Sequence, residues 1–121
     1  MKDNSKVRTA FYYKNYFFDF YNLQRPRVRN KILKTIKLIE DLRIVPDKFL
    51  KHITGTLGLY ELRVKVGSDI FRIFCFFDSD NLIILINGFQ KKTQKTPERE
   101  IERGEKIKRE YYEEKKLNKS K

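Results

Sequence analysis

Three short stretches hold the side chains that can act on a phosphodiester. In Tyr60-Glu61-Leu62-Arg63-Val64-Lys65-Val66 the charges fall at every second position. Glu61, Arg63 and Lys65 therefore share one face of a strand, and the apolar residues share the other. Arg72 is the lone cation in the apolar run Ile70 to Phe77. An unpaired buried charge costs on the order of several kcal/mol, so Arg72 needs an acidic partner such as Glu61 or an open functional face. Lys91, Lys92 and Lys95, with Thr93 among them, follow the next apolar run.

An open strand face lined with cations is a platform for a phosphodiester chain; if such a chain were RNA cut without a metal, the neighbouring 2′-hydroxyl would be the nucleophile. Its proton must leave, the pentacoordinate phosphorus must be stabilised, and the departing 5′-oxygen must be protonated. Arg and Lys can hold the developing charge. Glu61 can orient Arg63 or accept a proton. Two histidines would suit the proton work near neutrality, but the chain has one, His52. No Cys/His cluster, His pair or dense carboxylate set suggests a metal, and no Gly-rich loop suggests nucleotide hydrolysis. No metal and no cofactor is expected. The plain alternatives are a solvated strand face for Glu61, Arg63 and Lys65, and a solvated loop for the lysines.

These residues must be positioned by an α+β domain. The β-branched and aromatic run 7–13 reads as a first strand. Residues 14–24 repeat aromatics at helical spacing. From 27 to 43, Val28, Ile32, Ile36, Ile39 and Leu42 recur at steps of three and four, and Pro46 closes that helix. Period two then takes over. Strands are expected at 59–66, 70–77 and 82–89, joined by polar turns as an antiparallel meander. Pro97 fits the first turn of a last helix, with Thr96 as its N-cap. The expected order is β-α-α-β-β-β-α: a twisted antiparallel sheet with the two-helix hairpin on one face and a C-terminal helix. The Glu61, Arg63, Lys65 row then points to the other, open face. Residues 1–112 are expected to form one domain, and 113–121 a charged, frayed tail anchored upstream by Tyr111 and Tyr112.

Composition narrows the partners. The 121 residues carry 28 Lys plus Arg against 16 Asp plus Glu, a net charge of +12, which points to a polyanionic or acidic partner. Ten Phe and seven Tyr argue for a folded core and against a disordered basic tail. The longest apolar run, Leu82 to Ile86, is too short to span a bilayer. The first six residues lack the apolar region of a signal peptide. The single cysteine, Cys75, fits a reducing cytoplasm, the expected location. Arg25, Arg27, Arg29, Lys31, Lys34 and Lys37 form an acid-free run on the second helix, able to grip an RNA backbone without base specificity.

Three motifs carry a family resemblance: Gly58-Leu59-Tyr60-Glu61-Leu62-Arg63, Phe71-Arg72-Ile73-Phe74, and Gly88-Phe89-Gln90-Lys91-Lys92-Thr93-Gln94-Lys95-Thr96-Pro97. In this order and spacing the chain resembles the RelE/ParE superfamily of type II toxin–antitoxin toxins, in its HigB-like, phage-Gp49-like branch. The resemblance implies a RelE-like fold and a ribosome-dependent mRNA endonuclease, or mRNA interferase. It implies as partners the ribosome, mRNA and a HigA-like helix-turn-helix antitoxin. It maps Arg72 to the strand arginine that contacts the scissile phosphate, and it raises Arg63, Lys91 and Lys92 with it. Glu61 completes the expected catalytic set. Lys95, Thr93, Lys65, Arg27, Lys31 and Lys34 are the expected RNA-binding residues. Cys75 departs from the tyrosine usual at its position. Two alternatives share the fold: a ParE-like gyrase inhibitor, and a non-catalytic RNA- or ribosome-binding module.

Overall fold

The structure is a computed structural model and describes residues 6–119. Eight elements follow one another: β1 (Thr9–Tyr12), α1 (Tyr16–Tyr21), α2 (Pro26–Asp41), β2 (Leu50–His52), β3 (Tyr60–Val66), β4 (Asp69–Ser79), β5 (Leu82–Lys91) and α3 (Glu98–Lys119). The class is α+β, as expected. The five strands form one sheet in the order β1-β5-β4-β3-β2. Two expectations are corrected. The sheet is mixed, because β1 pairs in parallel with β5. It also has a fifth strand, β2, antiparallel to β3.

Local chemistry explains the helices. Pro26 supplies the preset φ of the first turn of α2, where its missing N–H is not needed. Val28, Ile32, Ile36 and Ile39 make its buried stripe. At its C-terminus, the Arg8 guanidinium donates to the carbonyls of Ile39, Leu42 and Arg43, orphan acceptors that would otherwise need water. Pro97, and not Thr96, is the N-cap of α3: its carbonyl accepts from the N–H groups of Glu100 and Ile101.

Each sheet face has its own core. The α1–α2 side buries Phe17, Phe20, Ile32 and Ile39 against Leu62, Val64, Phe71, Ile73 and Cys75. The opposite side buries Phe74, Phe76, Ile84 and Ile86 against Ile107 of α3. The second face is therefore half covered, where an open one was expected. Gly104 allows this close approach, since a Cβ there would lie 2.7 Å from Phe74 Cδ2. The expected frayed tail from 113 is also corrected. Helix α3 continues to Lys119, because Lys115 pairs with Asp78 at 2.6 Å and Tyr13 donates to Glu114 at 2.8 Å. Residues 1–5, 120 and 121 lie outside the described residues.

A bulge in β5 matters for everything that follows. Ile73 pairs with Gly88 and Cys75 with Leu85, so Ile86 and Asn87 together oppose Phe74. The extra residue inverts the alternation of the strand. Before the bulge the odd residues Ile83 and Leu85 face the α1–α2 core. After it the odd residue Phe89 packs on the α3 side. Lys91, paired with Ile70, follows Phe89 to that side.

Candidate phosphate site

The uncovered half of the second face begins where α3 stops covering it. Arg63 on β3 and Arg72 on β4 are direct cross-strand partners. Like charges so placed repel one another. Glu61 holds them together: its Oε2 lies 3.2 Å from Arg63 Nε and 3.4 Å from Arg72 Nε. Glu61 and Arg72 are only 7 % and 6 % exposed, so their pair is shielded from bulk water, whereas Arg63 stays partly exposed. Each guanidinium has a second anchor. Arg72 Nη1 donates to the Phe71 carbonyl at 3.2 Å, and Arg63 Nη1 donates to the Asp47 carbonyl at 3.3 Å. The Nη2 groups have no protein acceptor among the described residues. Two rigid forks therefore each keep free donors, the arrangement that suits a bidentate oxyanion.

Electrostatics extends the cluster to β5. Burial pushes the Lys91 ammonium below the ordinary lysine value, Arg72 and Arg63 push it further, and Glu61 opposes them. Arg72 is lowered in the same way, first by burial and then by Arg63, with Glu61 opposing. Three cations share one carboxylate, and an added anion would relieve the imbalance.

Beside the forks runs a groove of about 500 Å³ lined by Lys31, Lys48, Phe49, Arg63, Lys65 and Arg72, among others, with no carboxylate in its wall. It exists because β2 begins only at Leu50, opposite Leu62, which leaves the far half of β3 paired with β4 but bare on its other edge. A second cleft, lined by Ser68, Asp69, Ile70, Lys91, Lys92 and Thr93, adjoins it at Ile70.

The expected residues separate into groups. Glu61, Arg63, Arg72 and Lys91 come together. Lys65 and Lys31 line the groove, and Arg27 and Lys34 continue the Lys31 stripe along α2 at helical spacing. Lys92 and Thr93 line the second cleft. The Thr93 hydroxyl donates to the Lys95 carbonyl at 2.6 Å, so its proton is committed to the loop, and Lys95 lines neither cavity. His52 is exposed and contacts the Thr56 carbonyl at 3.0 Å, a local partner. Cys75 is fully buried under the helices, on the face opposite Arg72, and burial pushes its thiol up. Its departure from the usual tyrosine falls in the core and leaves the cluster intact.

Three residues escaped the sequence reading. Lys51 sits directly across from Glu61, and Lys48 and Phe49 line the groove. All belong to or adjoin β2, which is too short to show a period.

Among the described residues no three His, Cys, Asp or Glu side chains gather as metal ligands, and no helix is long and apolar enough to cross a membrane. No curated protein sequence matches the chain. Residues 19–109, which hold α2, all of β2 to β5 and the whole charged cluster, match the family of phage-derived Gp49-like proteins (DUF891), a RelE/ParE-like toxin family, and the chain belongs to that family.

Proposed function

We propose that this toxin-family chain is an endoribonuclease that cuts messenger RNA on the ribosome, in the cytoplasm, without a metal. The observation that carries the reading is the pair of anchored guanidiniums, Arg63 and Arg72, held 3.2 and 3.4 Å from one buried carboxylate with their Nη2 groups unspent. Such donors lower a barrier most where charge develops, as on the equatorial oxygens of a phosphorane. The 2′-oxygen attacks the adjacent phosphorus and gives its proton to solvent water. The 5′-oxygen leaves and gains one, so the products are a 2′,3′-cyclic phosphate and a 5′-hydroxyl.

Lys91, on the same sheet face as the two forks, is the proton donor that best fits the leaving oxygen, because burial and then its cationic neighbours make its proton easier to give. Glu61 is committed to two guanidiniums and serves as their positioning residue. With few groups for acid–base work, much of the rate must come from alignment, worth about 7–11 kcal/mol at best. The ribosome supplies that alignment for the message. A toxin family implies an antitoxin. A HigA-like helix-turn-helix protein is the partner proposed here.

The test is the chemistry of the ends. Purified protein added to a translating extract should yield message fragments with 2′,3′-cyclic phosphate and 5′-hydroxyl termini. A single 2′-deoxynucleotide at a mapped site should abolish that cut. Intact message together with broken chromosomal DNA would point instead to a gyrase inhibitor.

A further inference from the structure

Phe49 is an aromatic residue without a core. It belongs to neither buried cluster and is only partly covered, yet it lines the cationic groove beside Lys48. Its backbone is fixed: the Phe49 N–H donates to the Pro46 carbonyl at 2.9 Å, and its carbonyl accepts from Arg63 N–H at 2.8 Å. The ring is thus carried on the same hydrogen-bonded rung as one of the two forks. Around it stand Lys31 from α2, Lys48 from the segment before β2, and Lys65 from β3. None of these has a carboxylate partner among the described residues. Elsewhere in the molecule exposed lysines do find acids, as Lys14 does with Glu110 and Lys37 with Asp41.

The Lys48 ammonium lies 5.6 Å from the Phe49 ring centroid. An aromatic ring on a fixed backbone, among cations without carboxylate partners and on a groove that leads to a phosphate clamp, is the arrangement that holds a single-stranded nucleotide: base on ring, phosphate on lysine. We propose that Phe49 is a base-stacking platform, with Lys31, Lys48 and Lys65 holding the backbone phosphate of the same nucleotide, next to the one clamped by Arg63 and Arg72. The inference rests on the reading that the cluster takes a polynucleotide, and it adds a subsite that holds the nucleotide beside the scissile bond, whatever its base.

The test uses the whole protein and an all-deoxy hexanucleotide, which lacks the 2′-hydroxyl and cannot be cut. Stacking contributes about 1–3 kcal/mol per base, so Phe49→Ala should weaken binding about 5- to 150-fold, and Phe49→Leu nearly as much. Phe49→Tyr should bind as wild type. Phe49→Ala should leave the salt slope unchanged, whereas Lys31→Ala with Lys48→Ala should flatten log K against log salt by about 0.7 per lysine. An abasic substitution at one probe position should reproduce the Phe49→Ala loss and cost nothing more in that variant. Wild-type affinity in folded Phe49→Ala, an abasic backbone bound as tightly as the full probe, or no binding by the wild type at low salt would each overturn the inference. Probe binding without cleavage of any message would leave this subsite standing and remove the nuclease reading alone.

Discussion

The two halves of one sheet face are built on opposite principles. Under α3 the face is aromatic and its charges are matched. Asp78 receives both Lys115 and Tyr111, and Glu110 and Glu114 receive Lys14 together with Tyr16 and Tyr13. Phe76, Tyr111 and Tyr112 pack edge-on or tilted against one another, and Phe74 packs edge-on against Phe89. Beyond the helix, Arg63 and Arg72 face each other across a ladder rung, with Lys91 nearby and only Glu61 between them. The covered half matches its charges, and the open half leaves three cations to one carboxylate. Local rules are broken where a function needs them broken, and the surrounding fold carries the cost.

The contrast can be broken from either side. Lys91→Arg keeps the charge but cannot give up its proton readily, and should slow message cleavage by about 10²- to 10⁴-fold. In the wild type the rate should fall as rising pH removes the Lys91 proton. That alkaline limb should lie below the ordinary lysine pKa, because burial, Arg72 and Arg63 all lower it. Lys91→Arg should erase the limb, as a pH–rate profile would read directly. Glu61→Gln leaves two opposed guanidiniums without their carboxylate and should cost about 3–5 kcal/mol of stability. Denaturant melts at low salt should register that loss, and inorganic phosphate should restore part of it.

The covered half should respond in stability alone. Gly104→Val forces a side chain to within 2.7 Å of Phe74 Cδ2 and should cost about 1–3 kcal/mol by overpacking. Cleavage per folded molecule should be unchanged. The smallest effect is expected from acid. Lys115 first, and then Tyr111, hold the Asp78 carboxyl below its usual range. A depressed carboxyl contributes stability above its unfolded pKa and loses it as pH falls through the folded one. Asp78→Asn should therefore flatten the acid limb of a stability–pH curve, below about pH 4, and leave the neutral region of the curve with the same shape.

How much of this was legible in the sequence depended on distance along the chain. Arg72 was conspicuous because one cation interrupts an eight-residue apolar run, and period two put Arg63 and Glu61 on its face. The three long strands and α2 announced themselves by their repeats. What stayed hidden depended on partners far away. Three residues, Leu50–His52, cannot show a period, so β2 and the neighbouring Phe49 were invisible. The bulge at Ile86 and Asn87 reads as ordinary strand, yet it alone carries Lys91 to the side of Arg72. The last turns of α3 look like a solvated tail until Tyr13, Lys14 and Asp78 are brought to them from positions 101, 100 and 37 residues away.

The central claim is that Arg72 is kept buried and underpaired for chemistry and not for stability. It is tested most directly by the cleavage rate of ribosome-bound message with Arg72→Ala against wild type, both checked for equal melting behaviour. Loss of one preorganised donor should slow cleavage by about 10²- to 10³-fold in a protein that still folds. An Arg72→Ala protein that cuts within a few-fold of wild type would contradict the claim.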